Sequence, residues 1–204
     1  MGLLTTFDIE ELKKEYNLNV FVETGTGEGD SLFYASQFNF ETLHSIEYLK
    51  PLYDKCIERF NLYSSIKLWN GDSLTELKNS VIPSIKNTDR VLFWLDAHFL
   101  GADFHFQSYD SLINEDEKLV FPLQHELKLI QEMRDIKNDL FIIDDLRIYE
   151  DNNYDDGNWL DAKKFNIQRN TTFFNDFFDT THHIFRMTEH QGYLAATPKQ
   201  MEIL

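Results

Sequence analysis

A chain of 204 residues, 42% of them hydrophobic, is long enough to bury one full core and short enough to be one domain. Its net charge of −16 argues against a surface that neutralises phosphates, so nucleic acid and anionic membranes are poor partners. Cys56 is the only cysteine, which excludes an intrachain disulfide and a Cys-built zinc site. With no charged leader and no apolar run of bilayer length, the expected location is cytoplasmic.

Asp8 can cap a helix over 9–16, part of an N-terminal helical segment over 1–18. The apolar run ending at Glu23 reads as a first strand over 19–23. Gly25, Gly27 and Gly29 follow at every second position, and a helix over 30–38 opens at Asp30-Ser31. Glycines there let backbone approach a ligand and allow positive φ in a tight turn. A second strand is expected over 42–47 and a helix from Pro51 to Phe60. A third strand over 65–69 is closed by Asn70-Gly71, with a helix restarting at Asp72.

Val91–Leu95 is a continuous apolar run, as expected of a central parallel strand buried on both faces. Apolar residues at helical spacing predict one helix over 119–133 with Pro122 in its first turn. Leu140–Ile143 is another buried-strand run. Strands over 184–187 and 192–196, joined at Glu189-His190-Gln191, read as an antiparallel hairpin. Alternating strands and helices imply parallel strands with right-handed crossovers. The fold class is α/β: a single Rossmann-like domain over 1–204, with a mostly parallel seven-stranded sheet that ends in an antiparallel hairpin. The irregular segments 97–118 and 146–160 follow the fourth and fifth strands and should decorate the ligand-binding rim.

The run Glu23-Thr24-Gly25-Thr26-Gly27-Glu28-Gly29 carries no lysine and lacks dinucleotide spacing. It resembles motif I of class I S-adenosylmethionine (SAM)-dependent methyltransferases. That resemblance extends from about Val20 to the strand Gly192-Tyr193-Leu194-Ala195. It implies SAM as cofactor, bound by Glu23, Gly25, Thr26, Gly27, Gly29, Asp30 and Ser31 of the turn. Glu47 would take the ribose hydroxyls, Asp72 and Ser73 the adenine side, and Glu23 or Gly25 would face the amino-acid end, with Asp96 as an alternative partner of the methionine moiety. Glu47 and Asp72 are equally reasonable as helix-start carboxylates.

Asp96 ends the fourth strand, and Asp144-Asp145 ends the fifth. Carboxylates at adjacent strand ends repel one another unless a cation sits between them, and an oxygen-only set suits Mg²⁺. The pattern is similar to metal-dependent O-methyltransferases of the macrocin/novobiocin sugar type and the catechol type. In those terms Asp96, Asp144 and Asp145 would hold the metal. Asp145 stands where the catechol type has Asn, which favours the sugar type.

His98 is the expected general base, because an imidazole titrates near neutrality. A metal ligand or a hydrogen-bonded core histidine is the other reading of it. His125 and Glu126 fall on the helix after Pro122, and Glu126 is a candidate to face the site. Asp103 and His105 lie in the long rim segment, and Arg147 is a candidate grip for an anionic group. His182 and His183 are expected before a strand, packed or facing water.

The implied function is methyl transfer from SAM to a hydroxyl of a small molecule, of sugar or polyol type, with divalent-metal help. Alternatives are a metal-independent N- or O-methyltransferase and a SAM-binding, non-catalytic partner protein. Tyr63 and Lys67 match the spacing of a short-chain dehydrogenase dyad but fall before and within the third strand, far from such a site. The C-terminal aromatics are assigned to core and homodimer packing.

Overall fold

Five runs rich in apolar residues form the parallel part of the sheet: β1 (Val20–Thr24), β2 (Thr42–Glu47), β3 (Ile66–Asn70), β4 (Val91–Leu95) and β5 (Leu140–Ile143). β6 (His182–Met187) and β7 (Tyr193–Pro198) complete it as an antiparallel hairpin, giving the order β3-β2-β1-β4-β5-β7-β6. The computed structural model describes residues 3–165, 167 and 169–199. The ends of the expected 1–204 domain, Met1-Gly2 and 200–204, lie outside them.

β1, β4 and β5 are buried at every position because helices cover both faces. One face packs Phe21, Leu92, Trp94 and Ile142 under α1 (Ile9–Tyr16), α2 (Asp30–Ala35) and α3 (Lys50–Arg59). The other packs Val22, Phe93 and Phe141 under Leu77 and Val81, which follow α4 (Ser73–Glu76), and under α6 (Leu123–Met133) and α7 (Phe173–Phe178). Phe93 and Phe141 stack at 4.8 Å between centroids. Full burial of each such ring contributes about 1.5–3 kcal/mol. At the far end of the sheet the buried Arg134–Asp139 pair (2.7 Å) ties the exit of α6 to β4, because Asp139 also accepts the Val91 N–H. Removing one partner would strand the other charge in the core.

The helix expected over 119–133 is broken. α5 (Glu117–Val120) stops at Phe121, and α6 starts after Pro122. The residue before a proline is pushed out of the helical region, and Phe121 has ψ 67°. Pro122 therefore precedes a new helix instead of sitting inside an old one. His182 and His183 lie within β6, one buried and one exposed, and not ahead of it. Asp8 caps α1 as expected by accepting the Glu11 N–H. The segments 97–118 and 146–160 are mainly 3₁₀ turns and extended chain, apart from the start of α5. No described helix is long and apolar enough to cross a membrane.

The strand order reverses between β1 and β4, and their tips are in step. Asp96 donates its N–H to Thr24, Asp144 donates to Leu95, and Gly25 donates to Ile46. A crevice therefore opens outside the carboxyl ends of β1, β2, β4 and β5, the usual ligand position in an open α/β sheet.

Candidate active site at the strand tips

The glycine turn forms one wall of this crevice. Gly25, Gly27 and Gly29 all have positive φ (83°, 55° and 84°). A Cβ on Gly25 would stand 2.6 Å from the Asp96 carbonyl oxygen, so β4 can run this close only to a glycine. Glu47 holds the turn from below: its Oε2 accepts from Gly27 N (2.8 Å) and its Oε1 from Leu49 N (2.7 Å). Burial pushes the Glu47 carboxyl above its ordinary pKa, while the two amides oppose that rise. Asp72 caps α4 by accepting the Thr75 N–H through Oδ1 (2.9 Å). Gly25, Thr26, Gly27, Ser31, Asp72 and Ser73 all line the crevice.

Two of the expected cofactor residues, Glu23 and Gly29, sit elsewhere. Glu23 is buried beneath the turn and does not line the crevice. Its Oε2 accepts from Ser45, whose hydroxyl also meets Thr26, and its Oε1 has no partner. Burial pushes its carboxyl up to about 8, against the Ser45 hydrogen bond and with help from Glu47. Gly29 packs against Phe60 and Cys56 behind the turn. Asp30 does line the crevice, at its rim, where it is ion-paired with Arg59 at 2.7 Å.

On the other side of the crevice, Asp96, His98 and Asp145 come together, with ligand atoms all within 4.8 Å of one another. His98 Nε2 is 2.7 Å from Asp145 Oδ2 and 3.6 Å from Asp103 Oδ2, and His98 Nδ1 is 3.6 Å from Asp96 Oδ1. Asp144 is outside this group. Its Oδ1 accepts the Asp145 N–H, and it does not line the crevice. The backbone accounts for the split: Asp145 has φ 52°, a conformation Asp tolerates, and this turns it away from the strand direction.

The charges follow from this packing. Burial tends to discharge His98, but Asp145, then Asp103 and Asp144, outweigh it and hold the imidazole protonated, pushed up to about 9. Burial and the neighbouring aspartates push the Asp96 carboxyl well up, while His98 and Arg147 hold Asp145 low. Asp144 Oδ2 and Asp145 Oδ1 are buried without a hydrogen-bond partner. Unpaired buried carboxylate oxygens beside an Asp–His–Asp group fit a divalent cation. Its donor set would be mixed nitrogen and oxygen if His98 joins, and oxygen-only if His98 stays out.

The chain was also compared with known proteins. No protein-family model and no curated protein matches the sequence. Solved structures do match. One is a protein provisionally assigned as a caffeoyl-CoA O-methyltransferase from Staphylococcus aureus (TM-score 0.63, 13% identity, 98% of this chain and 85% of that one). A Podospora anserina methyltransferase bound to S-adenosylhomocysteine (SAH) gives TM-score 0.59 at 14% identity, over 94% and 76% of the two chains. An O-methyltransferase from Bacillus cereus in complex with SAH gives 0.53 at 14%, over 93% and 78%. The fold is that of a SAM-dependent methyltransferase.

Within that methyltransferase fold, several crevice residues carried no local sequence signal. Leu3, Leu4 and Thr5 form part of the wall, pinned by the Leu3 N–H to the Tyr193 hydroxyl (2.8 Å). Phe104 lays its ring against Gly27, where a Cβ would meet it at 2.7 Å. Asp103, also in the wall, accepts from the Tyr109 hydroxyl. Only the length of the 97–118 segment hinted at any of these.

Proposed function

We propose that this protein transfers the methyl group of SAM to a hydroxyl oxygen of a small molecule, a sugar or polyol unit, with a divalent cation beside the acceptor. The observation that carries the reading is that one crevice holds two sets of groups side by side. Glu47, Asp72 and the glycine turn can take the ribose, adenine and methionine parts of SAM. Asp96, His98 and Asp145 stand next to them for the acceptor. Neighbours of the same fold hold SAH, in the B. cereus enzyme, or SAM, in the O-methyltransferase TomG of Streptomyces achromogenes.

The methyl group already sits on a good leaving group, so the protein's work is to align the acceptor oxygen and to remove its proton. Glu47 has both oxygens on backbone amides and keeps lone pairs for ribose hydroxyls. Asp72 keeps Oδ2 for the adenine amino group. His98 can act as base only in its neutral form, so the surrounding negative charge must first be offset. A cation held by Asp96 and Asp145 would supply Lewis-acid polarisation of the acceptor hydroxyl. Mg²⁺ fits if His98 stays out of the donor set, and a softer metal fits if it joins.

A metal-independent reaction is favoured by one observation: the His98–Asp145 hydrogen bond already resembles an oriented acid–base pair. Transfer of labelled methyl from SAM to a pool of glycosides, polyols and catechols, with and without EDTA, separates the two. Product that needs a divalent cation supports the first reading, and product unchanged by EDTA supports the second. Label on amines but not hydroxyls would overturn O-methylation.

A further inference from the structure

Behind the crevice wall lies a carboxylate for which neither catalysis nor ordinary packing gives a use. Glu126, in the first turn of α6, is 1% exposed, and its Oε1 is buried without a partner. Its Oε2 accepts from Thr24 Oγ1 at 3.4 Å, and the Ser73 side chain lies near enough to the carboxyl to oppose the rise in its pKa. Thr24 is the last residue of β1 and leads directly into the Gly25 turn. Ser73 opens α4 beside Asp72 and lines the crevice. His98, on the loop after β4, is near enough for its charge to be felt at Glu126. One side chain from α6, a helix that packs against α4, thus bonds the end of β1 and lies beside the start of α4 after β3.

A carboxyl group in this place costs stability. Burial pushes it up to about 7, and an unpaired buried oxygen is unfavourable. An apolar side chain of the same size would pack there without that penalty. Thr24 and Glu23 point to opposite faces of the sheet, as neighbours on a strand must. The Thr24–Glu126 contact therefore supports the glycine turn from one face, while the Glu23–Ser45–Thr26 chain supports it from the other.

We infer that Glu126 is a positioning residue for the cofactor: through Thr24 and Ser73 it fixes the β1 and β3 turns relative to each other, so that they grip the two ends of one SAM molecule. This rests on the SAM reading given above. It assigns Glu126 no contact with the reacting atoms.

The test is calorimetric titration of SAM into the full-length wild type, Glu126→Leu and Glu126→Gln, with the melting temperature of each. Glu126→Leu keeps the volume and removes the polar atoms. It is expected to melt no lower than wild type yet to bind SAM about tenfold more weakly, the usual worth of one such hydrogen-bonded link. Glu126→Gln still accepts from Thr24 and is expected to bind within about threefold of wild type. A merely structural role predicts the opposite: altered melting with unchanged affinity. Wild-type affinity in Glu126→Leu overturns the inference while leaving the cofactor reading intact. Failure of the folded wild type to bind SAM overturns both. Should Glu126→Leu not fold, Thr24→Val decides: it removes the hydroxyl from the same network, and unchanged affinity there overturns the inference.

Discussion

The β1–β2–β3 side of the crevice and the β4–β5 side solve different problems with similar residues. On the first side the two carboxylates at the strand ends that line the crevice have backbone partners: Glu47 takes Gly27 and Leu49 amides, and Asp72 caps α4. On the second side Asp96, His98, Asp103 and Asp145 crowd together, and Asp144 Oδ2 and Asp145 Oδ1 go unpaired. At the crevice surface the first side is satisfied as it stands, with the unpaired Glu23 Oε1 buried beneath the turn. The second holds excess negative charge that only a proton or a cation can relieve. Under the proposed function, the backbone-satisfied carboxylates of the crevice belong to the cofactor side and the crowded ones to the acceptor side.

The comparison can be broken most severely at Gly25. Gly25→Ala places a Cβ on the Asp96 carbonyl at positive φ, and the expected cost is ~3 kcal/mol of stability with loss of SAM binding. A denaturant melt with wild-type midpoint would remove Gly25 from the account. Next is Glu47→Ala, which leaves two amides and the ribose hydroxyls without an acceptor. SAM affinity should fall roughly a hundredfold, while divalent-cation affinity stays within about twofold. Equal loss of both would mean that the two sides are not independent.

Asp145→Asn is the mirror experiment. It should weaken Mg²⁺ or Mn²⁺ binding by at least about tenfold and leave SAM binding in EDTA unchanged. Retained cation affinity would favour the metal-independent reading.

The smallest expected effect concerns pH. Burial raises Glu23 to about 8 in the fold from about 4.5 when exposed, so its neutral form is the stabilised one. Its contribution is complete below about pH 4.5 and is lost as pH rises towards 8. Glu126, raised to about 7, acts in the same direction. Melting temperature should therefore fall between pH 5 and 8.5, and Glu23→Gln should flatten that slope. An unchanged slope in Glu23→Gln would show that Glu23 is ionised throughout.

The same division explains what the sequence disclosed. β4 and β5 are readable to the residue because strands buried on both faces become continuous apolar runs, and β2 is readable although His44, Ser45 and Glu47 interrupt its apolar residues. The glycine turn is readable because only glycine tolerates its φ values and the approach of β4. Glu47 and Asp72 follow from their places at strand ends.

The β4–β5 side is far less legible. Nothing local to Asp144-Asp145 reveals that the left-handed turn at Asp145 sends one carboxylate to His98 and keeps the other out. The N-terminal wall depends on a hydrogen bond from Leu3 to Tyr193, 190 residues away, which no local pattern encodes. α7 escapes notice for a different reason: its four phenylalanines do fall at helical spacing, but over only six residues, too short a window for the period to stand out.

Whether the backbone-satisfied side is a SAM mould is tested most directly by calorimetric titration of SAM into the folded protein in EDTA. Micromolar binding at one site per chain, with no divalent cation present, is the predicted result. No heat from a folded, monodisperse sample would contradict it, and the glycine turn and Glu47 would then have to serve some other ligand.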